Sequence, residues 1–444
     1  MAMASSASAS SSSHIELPLI TVQPTFPEVV HDIGSDSDAS AEDCWISCYW
    51  KGKTSVHGKV RVLEAEGGGA VELEARDGVT CRMVDGKTTT LECSCEQLAI
   101  PPTLVHFPLR TDRLADFGPV NSFDIAPDGS RYVVGGDNGL VRVVELSPSH
   151  SSTQAPRQIA LKGHLADLTV VRFFPSSEVV LTGAMDMTIR IYSALSGKEV
   201  RTLTGHTKSV SGFFILGKGR RILSSSLDGT IRLWNIAEAK VERTWSFDQP
   251  VSAFTVSQFT GSTALAEDYP EIEELYAIAA HTNGSATALP LGTDTAAPLL
   301  RLRAGSSPLH SIALDSDSGR LALGSRNGCV ALFQLPALDA ASPRPAQETL
   351  APLLTLSRSD TVVHRLCFST TSNLAPTQDL LVAGADGLPF RVTLRQDPSD
   401  ATSTTASIVD EYSGLNCEAA TSAMTSNGCI WVAGADGMIR RYEG

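Results

Sequence analysis

Long apolar runs are missing from this sequence, and none approaches the ~20 residues that cross a bilayer as a helix. Charge is sparse at 19%, below the roughly 25% of an average chain, and aromatics make up only 6%. Hydrophobic residues still reach 42% of the 444. This balance excludes a disordered chain, a coiled coil and a disulfide-stapled miniprotein. Basic residues are also short: 35 against 49 acids, a net charge of −14. That excludes sequence-independent nucleic-acid binding and a polybasic membrane surface, both of which need an excess of Lys and Arg. A basic protein partner fits the charge instead. The opening MAMASSASASSSS lacks the basic and apolar parts of a secretory signal and the Arg of a mitochondrial transit peptide. The expectation is a protein of cytoplasm and nucleus.

Catalytic motifs are absent too. The chain has no G-x-S-x-G, no G-x-x-x-x-G-K-[ST], no H-E-x-x-H and no G-x-G-x-x-G. No enzyme activity and no cofactor are expected. The nine cysteines are odd in number and irregularly spaced, which reads as reduced thiols. Cys44 and Cys48 (C-x3-C) with Cys93 and Cys95 (C-x-C) have the donor types of a zinc site. All four fall in strand-like runs, where free cysteine serves as a small apolar filler, and filler is the expected role.

What the chain does have is organisation in three pieces. Residues 1–13 are a Ser/Ala tail too poor in apolar residues to offset its ordering entropy, and it is expected to be disordered. Residues 14–103 hold short β-type runs separated by Gly turns, a meander pattern that predicts a small β-rich domain. From residue 104 to 444 the sequence repeats. The segments beginning at Val120, Leu168 and Val210 each read as strand, turn, strand ending in small residues, tight Asp turn, third strand. Four weaker copies follow. The Gly position of the tight turn falls at Gly139, Met187, Gly229, Gly284, Gly328, Gly387 and Gly437, at intervals of 42 to 59 residues. Seven units of about 40 residues fit the 341 available and leave about 60 for insertions. Sheets that are apolar on both faces cannot stand alone, so stacking them around an axis is the expected solution. The last unit ends on its third strand, and Thr103–Arg110 (TLVHFPLR) is the candidate to supply its missing outer strand.

At these residues the pattern resembles the WD-repeat family of β-propellers. Gly163-His164 and Gly205-His206 match its Gly-His dipeptide, Asp186 and Asp228 its turn Asp, and Trp234-Asn235 and Tyr192-Ser193 stand at its Trp-Asp position. The resemblance implies an all-β fold, a seven-bladed WD-repeat β-propeller with a small N-terminal β-rich domain. It also implies two buried tetrads, His164–Thr182–Asp186–Tyr192 and His206–Ser224–Asp228–Trp234. The other five units lack a matching tetrad. Within the family, four features look like the proteasomal ATPase-associated factors, WD-repeat chaperones of proteasome regulatory-particle assembly. These are GHLADLTVVRFFPSSEVVLTGAMDMTIRIYSA, the ending DGMIRRYEG, the acidic insertion of the fourth unit and the Trp45…Trp50 segment. That resemblance implies a non-catalytic protein, monomeric before binding, that holds the C-terminal domain of a proteasomal ATPase subunit during assembly of the base. A general WD-repeat scaffold or a ubiquitin-ligase substrate receptor is the alternative. Trp234 is followed by Asn-Ile-Ala rather than the Asp-x-Arg such receptors often carry.

Two sets of residues are candidates for partner binding. One is the fourth-unit insertion, with Glu267, Asp268, Glu271, Glu273 and Glu274 within eight residues, an electrostatic docking site or a solvated loop. The other is the residue after the leading apolar position of each unit, expected near one mouth of the ring: Asn121, Thr169, Ser211, Ser252, His310, His364 and Glu418. All are polar and none is Lys or Arg. His310 and His364 read as rim residues rather than a metal pair.

Overall fold

One extra residue at the start of each repeat sets the geometry of the ring. In a computed structural model, which describes residues 13–34, 41–65, 71–84, 87–146, 156–293, 297–338, 349–369, 377–397, 400–415 and 419–443, the leading residue of every repeat pairs with the end of the second strand. The next residue is skipped, and pairing resumes at the residue after that. Val120 faces Gly136 and Ser122 faces Gly135. The same bulge follows Leu168, Val210, Val251, Leu309, Val363 and Ala420. A bulge of this kind sharpens the local twist and re-aims the skipped side chain.

Each repeat forms an antiparallel sheet, a blade. In the third, Val210–Leu216, Arg221–Ser226, Thr230–Asn235 and Lys240–Ser246 lie in that order from the inside outwards. The other inner strands are Val120–Ile125, Leu168–Phe173, Val251–Gln258, Leu309–Asp315, Val363–Ser369 and Ala420–Ser426. Successive inner strands touch, and the seventh touches the first, so the sheets close a β-propeller around an axis. Second strands are largely buried: Ser224, Ser225 and Ser226 expose nothing, and all seven residues of Leu275–His281 are buried. Larger apolar residues fill the wedge between neighbouring blades, as Trp234 does with Leu181, Val210 and Ile222.

The last blade is completed from the other end of the chain. Arg110–Arg113 pairs antiparallel with Met438–Glu443, Arg113 opposite Met438 and Arg110 opposite Arg441. This corrects the expected closing segment, Thr103–Arg110. Its first half lies in Ile100–His106, which runs parallel to Asp400–Tyr412 on the sixth blade, and only Arg110 belongs to the closing strand. The difference has a packing cause. Val105 and Phe107 are wanted in the N-terminal core, where Phe107 stacks on Phe26 at 5.5 Å. The polar RTDR run suits an exposed outer strand, and Leu114 and Phe117 then seal the first and last blades.

The N-terminal region, 14–103, is less separate than its sequence suggests. It has its own core, covered by the helix Phe26–Gly34, and its own sheet of Leu19–Val22, Ala41–Tyr49, Val56–Glu64 and Val71–Arg76. Its remaining strands, Thr80–Val84, Lys87–Cys95 and Ile100–His106, extend the sixth blade into a seven-stranded sheet. Ser13–Glu16 runs parallel to Leu354–Ser357 on the fifth blade. Buried charge fixes the junction. His106 Nε2 lies 2.7 Å from Asp410, which also pairs with Arg391. Arg358 donates to both oxygens of Glu411 at 3.0 and 2.8 Å. Burial drives the Glu411 carboxyl up to about 7 against the pull of Arg358. Cys44, Cys48, Cys93 and Cys95 pack in the core with Ile46, Val62 and Leu91. Burial pushes the Cys44 thiol up to about 11 and that of Cys48 to about 12. Of the expected Ser/Ala tail, only Ser13 is among the described residues.

A chain beginning at residue 115 lacks both Ile100–His106 and Arg110–Arg113. It should lose the single cooperative thermal transition of the full chain, because edge strands of the sixth and seventh blades are uncovered. Calorimetry is the check, and identical melting of the two chains would show that the ring closes without these strands.

Candidate functional site

Two hydrogen-bonded chains cross from surface to core in the second and third blades. In the third, Trp234 Nε1 donates to Ser224 Oγ at 2.8 Å, Ser224 lies 2.8 Å from His206 Nε2, and His206 Nδ1 lies 2.8 Å from Asp228. With a neutral imidazole every proton points one way: indole to hydroxyl, hydroxyl to Nε2, and Nδ1–H to carboxylate. Burial lowers the His206 pKa and outweighs the opposite pull of Asp228. Burial would raise the Asp228 carboxyl, but hydrogen bonds from Thr230, His206 and the Thr207 N–H hold it at about 2.

The second blade repeats part of this pattern. His164 Nδ1 lies 2.9 Å from Asp186, and its Nε2 lies 2.7 Å from Thr182. Tyr192 does not join, which corrects its assignment to a tetrad. Its hydroxyl donates to the Lys162 carbonyl at 3.1 Å. The phenol carries its polar atom farther from the backbone than an indole does, so it overshoots Thr182. These buried groups are fully engaged with one another, which makes them supports of two turns.

Six of the seven rim residues, Asn121, Thr169, Ser211, Ser252, His310 and His364, are bulge residues. Their hydroxyls staple one blade to the next: Thr169 Oγ1 donates to Val210 O, and Ser211 Oγ to Val251 O at 2.7 Å. Ser252 Oγ donates to Ala280 O at 3.0 Å within its own blade, and Asn121 Nδ2 to Asp137 at 2.7 Å. His310 and His364 meet edge to face, ring centres 5.2 Å apart. Burial, and then the neighbouring His310, depress the His364 pKa to about 4. Glu418 lies outside the described residues, and the bulge of the seventh blade is at Thr421. Thr421 Oγ1 donates to Val120 O and so staples the last blade to the first. Sequence reading missed it because CEAATSA offers two apolar–polar steps, and only pairing with Gly434 selects the second. It also missed Asp124, which accepts from Phe173 N at 2.7 Å and lies 3.3 Å from Arg172 on the inner strands.

The acidic insertion packs against the third blade, from the turn after its inner strand to its outer strand. Lys218 pairs with Asp268, Arg243 lies 3.3 Å from Glu273, and Arg221 donates to Pro270 O at 2.6 Å. Ser262 donates to Glu274. All five acids remain exposed, and Glu267 and Glu271 have no ion pair among the described residues. The insertion is thus a fixed, negatively charged ledge. The described residues hold no cluster of three or more His, Cys, Asp or Glu arranged for a metal, and no helix of theirs is long and apolar enough to cross a membrane.

Comparison with known proteins reaches the same two blades. The family model for the WD domain, G-beta repeat, matches residues 156–193 and 197–235. The fold is a WD-repeat β-propeller. Among curated relatives, the 26S proteasome regulatory subunit RPN14 of Saccharomyces cerevisiae is 34% identical over 90 residues, 20% of this chain and 20% of that protein. Periodic tryptophan protein 2 of Arabidopsis thaliana is 33% identical over 89 residues, 20% of this chain and 10% of the relative. Nuclear distribution protein nudF of Aspergillus terreus is 30% identical over 138 residues, 26% of this chain and 29% of the relative. The chain therefore matches less than a third of the length of each of these relatives.

The His206 chain predicts a pH dependence. An imidazole held below its ordinary value takes up a proton more readily in the unfolded chain. Its contribution is full above about pH 6.5 and falls as the pH drops below that value. His206→Gln should be about 1–3 kcal/mol less stable than the parent at pH 7.5, and the gap should narrow at pH 5.0. Urea unfolding at the two pH values measures it, and a constant gap would contradict a neutral buried His206.

Proposed function

We propose that this WD-repeat protein is a non-catalytic assembly chaperone of the proteasome regulatory particle, holding the C-terminal domain of a proteasomal ATPase subunit before the base is complete. The observation that carries the reading is the 90-residue similarity to the yeast protein named as a 26S proteasome regulatory subunit. The net charge of −14 and the exposed acidic ledge fit a basic partner. The buried His–Asp pairs are spent on holding turns, which leaves them unsuited to acid–base chemistry. The protein would act in cytoplasm and nucleus, where base subunits are made and used. A general WD scaffold is the second reading, favoured by the similarity to relatives named for other processes.

In this reading the ledge steers encounter. Clustered charge of one sign raises association rates more than it deepens affinity. Replacing Glu267, Asp268, Glu271, Glu273 and Glu274 by their amides should slow association with the ATPase C-terminal domain about tenfold at low salt. The effect should shrink toward physiological ionic strength as screening grows. Stopped-flow or surface-plasmon kinetics over a salt series give the answer, and an unchanged on-rate removes the ledge from the encounter. If none of the proteasomal ATPase domains binds the intact protein, the chaperone reading itself falls.

A further inference from the structure

Six of the seven tight turns put glycine at the position with φ near +80°: Gly139, Gly229, Gly284, Gly328, Gly387 and Gly437. The second blade puts Met187 there, at φ 66°. Left-handed backbone is unfavourable for a side chain and free for glycine. The strained methionine is 42% exposed. Two residues earlier, Met185 is 55% exposed, at the position that Leu227, Arg326, Ala385 and Ala435 hold in other blades. The neighbouring loop adds Leu165, 87% exposed, whose N–H donates to Asp186 at 3.0 Å.

The backbone segments that carry these residues lie together. Met185 N donates to Asp167 O, and Asp167 Oδ1 accepts from Asn138 N at 2.8 Å. The turn of the first blade is pressed on the same loop: a side chain at Gly139 would come within 2.2 Å of His164 O. Leu140, 39% exposed, follows it. Four large apolar residues from two blades thus share one edge of the ring, with the partly exposed Asp137 and Asp167 beside them. A large apolar side chain held out at a conformational cost at Met187, where the sibling turns have glycine, marks an interaction surface. Unbranched methionines let such a surface mould to its partner.

We infer that Leu140, Leu165, Met185 and Met187 form a docking patch for a partner helix that alternates aliphatic residues with lysine or arginine. The aliphatic residues seat against the methionines, and the cations face the carboxylates of Asp137 and Asp167. The inference rests on the reading of the ring as a protein-binding platform and not on the identity of the ATPase partner. It also differs in place from the acidic ledge, which lies on the fourth-unit insertion.

The test uses the full chain with 13C-methyl methionine, the resonances of Met185 and Met187 being assigned from Met185→Leu and Met187→Leu. The probe is a synthetic helical peptide of leucine and lysine, compared with one of leucine and glutamate. The Leu/Lys helix should shift both methyls saturably and the Leu/Glu helix should not. Leu165→Ser with Met187→Gly should weaken the Leu/Lys affinity at least tenfold without lowering the melting temperature, because glycine relieves the turn. Shifts confined to other methyls, equal response to both peptides, or equal affinity of the variant would overturn the inference. So would sedimentation showing that the patch is covered by a second copy of this chain. Titration with proteasomal ATPase C-terminal domains separates the two ideas. If the Leu/Lys helix lands on the patch while no ATPase domain binds, the surface stands and the chaperone reading falls. ATPase binding that ignores the variant sinks the surface alone.

Discussion

Each blade is a sheet that is apolar on both faces, and neither face can be left to water. That constraint makes the molecule a ring, because stacking without closure leaves two greasy ends. Closure is then a matter of angle. The bulge after each leading residue twists the inner strand where it meets its neighbour, and it frees one side chain per blade. Where that side chain is Thr or Ser, its hydroxyl donates to a backbone carbonyl, and Thr169, Ser211 and Thr421 reach the next blade. Apolar burial drives the stacking, and these few directional bonds help hold the register.

This division of labour explains what could be read in advance. Repeats, turn positions and the His206 chain depend on residues within about forty positions of one another, and spacing records such relations directly. Ser224 sits between His206 and Trp234 because strand alternation puts it there. The reading failed where side-chain reach or distant partners decide. Tyr192 occupies the right position and still misses Thr182, since its hydroxyl extends too far. The start of the last blade was placed three residues early, at Cys417–Glu418, because local alternation cannot choose between two equivalent steps.

The largest departure lies at the N-terminal junction. Pairing of Ile100–His106 with a strand some 300 residues later leaves no local signature, and neither does the meeting of His106 with Asp410. A buried carboxylate between a histidine and an arginine is costly to assemble and more costly to break. It therefore ties the N-terminal core to the sixth blade in one arrangement. The candidate docking surfaces lie elsewhere, on the first and second blades and on the fourth-unit insertion, so the N-terminal region is free to act as a brace.

The strand Arg110–Arg113 has a consequence in time. It emerges early in synthesis, yet its partner, Met438–Glu443, emerges more than 320 residues later. At typical elongation rates of about 5–20 residues per second, that is a wait of roughly 15–65 seconds. Throughout this interval the nascent disc is a horseshoe with two open, adhesive ends, and no amount of local folding can shorten it. Only arrival of Met438–Glu443 ends the exposure. A ribosome that stalls before Met438 would thus release a sticky fragment rather than a slightly shorter protein.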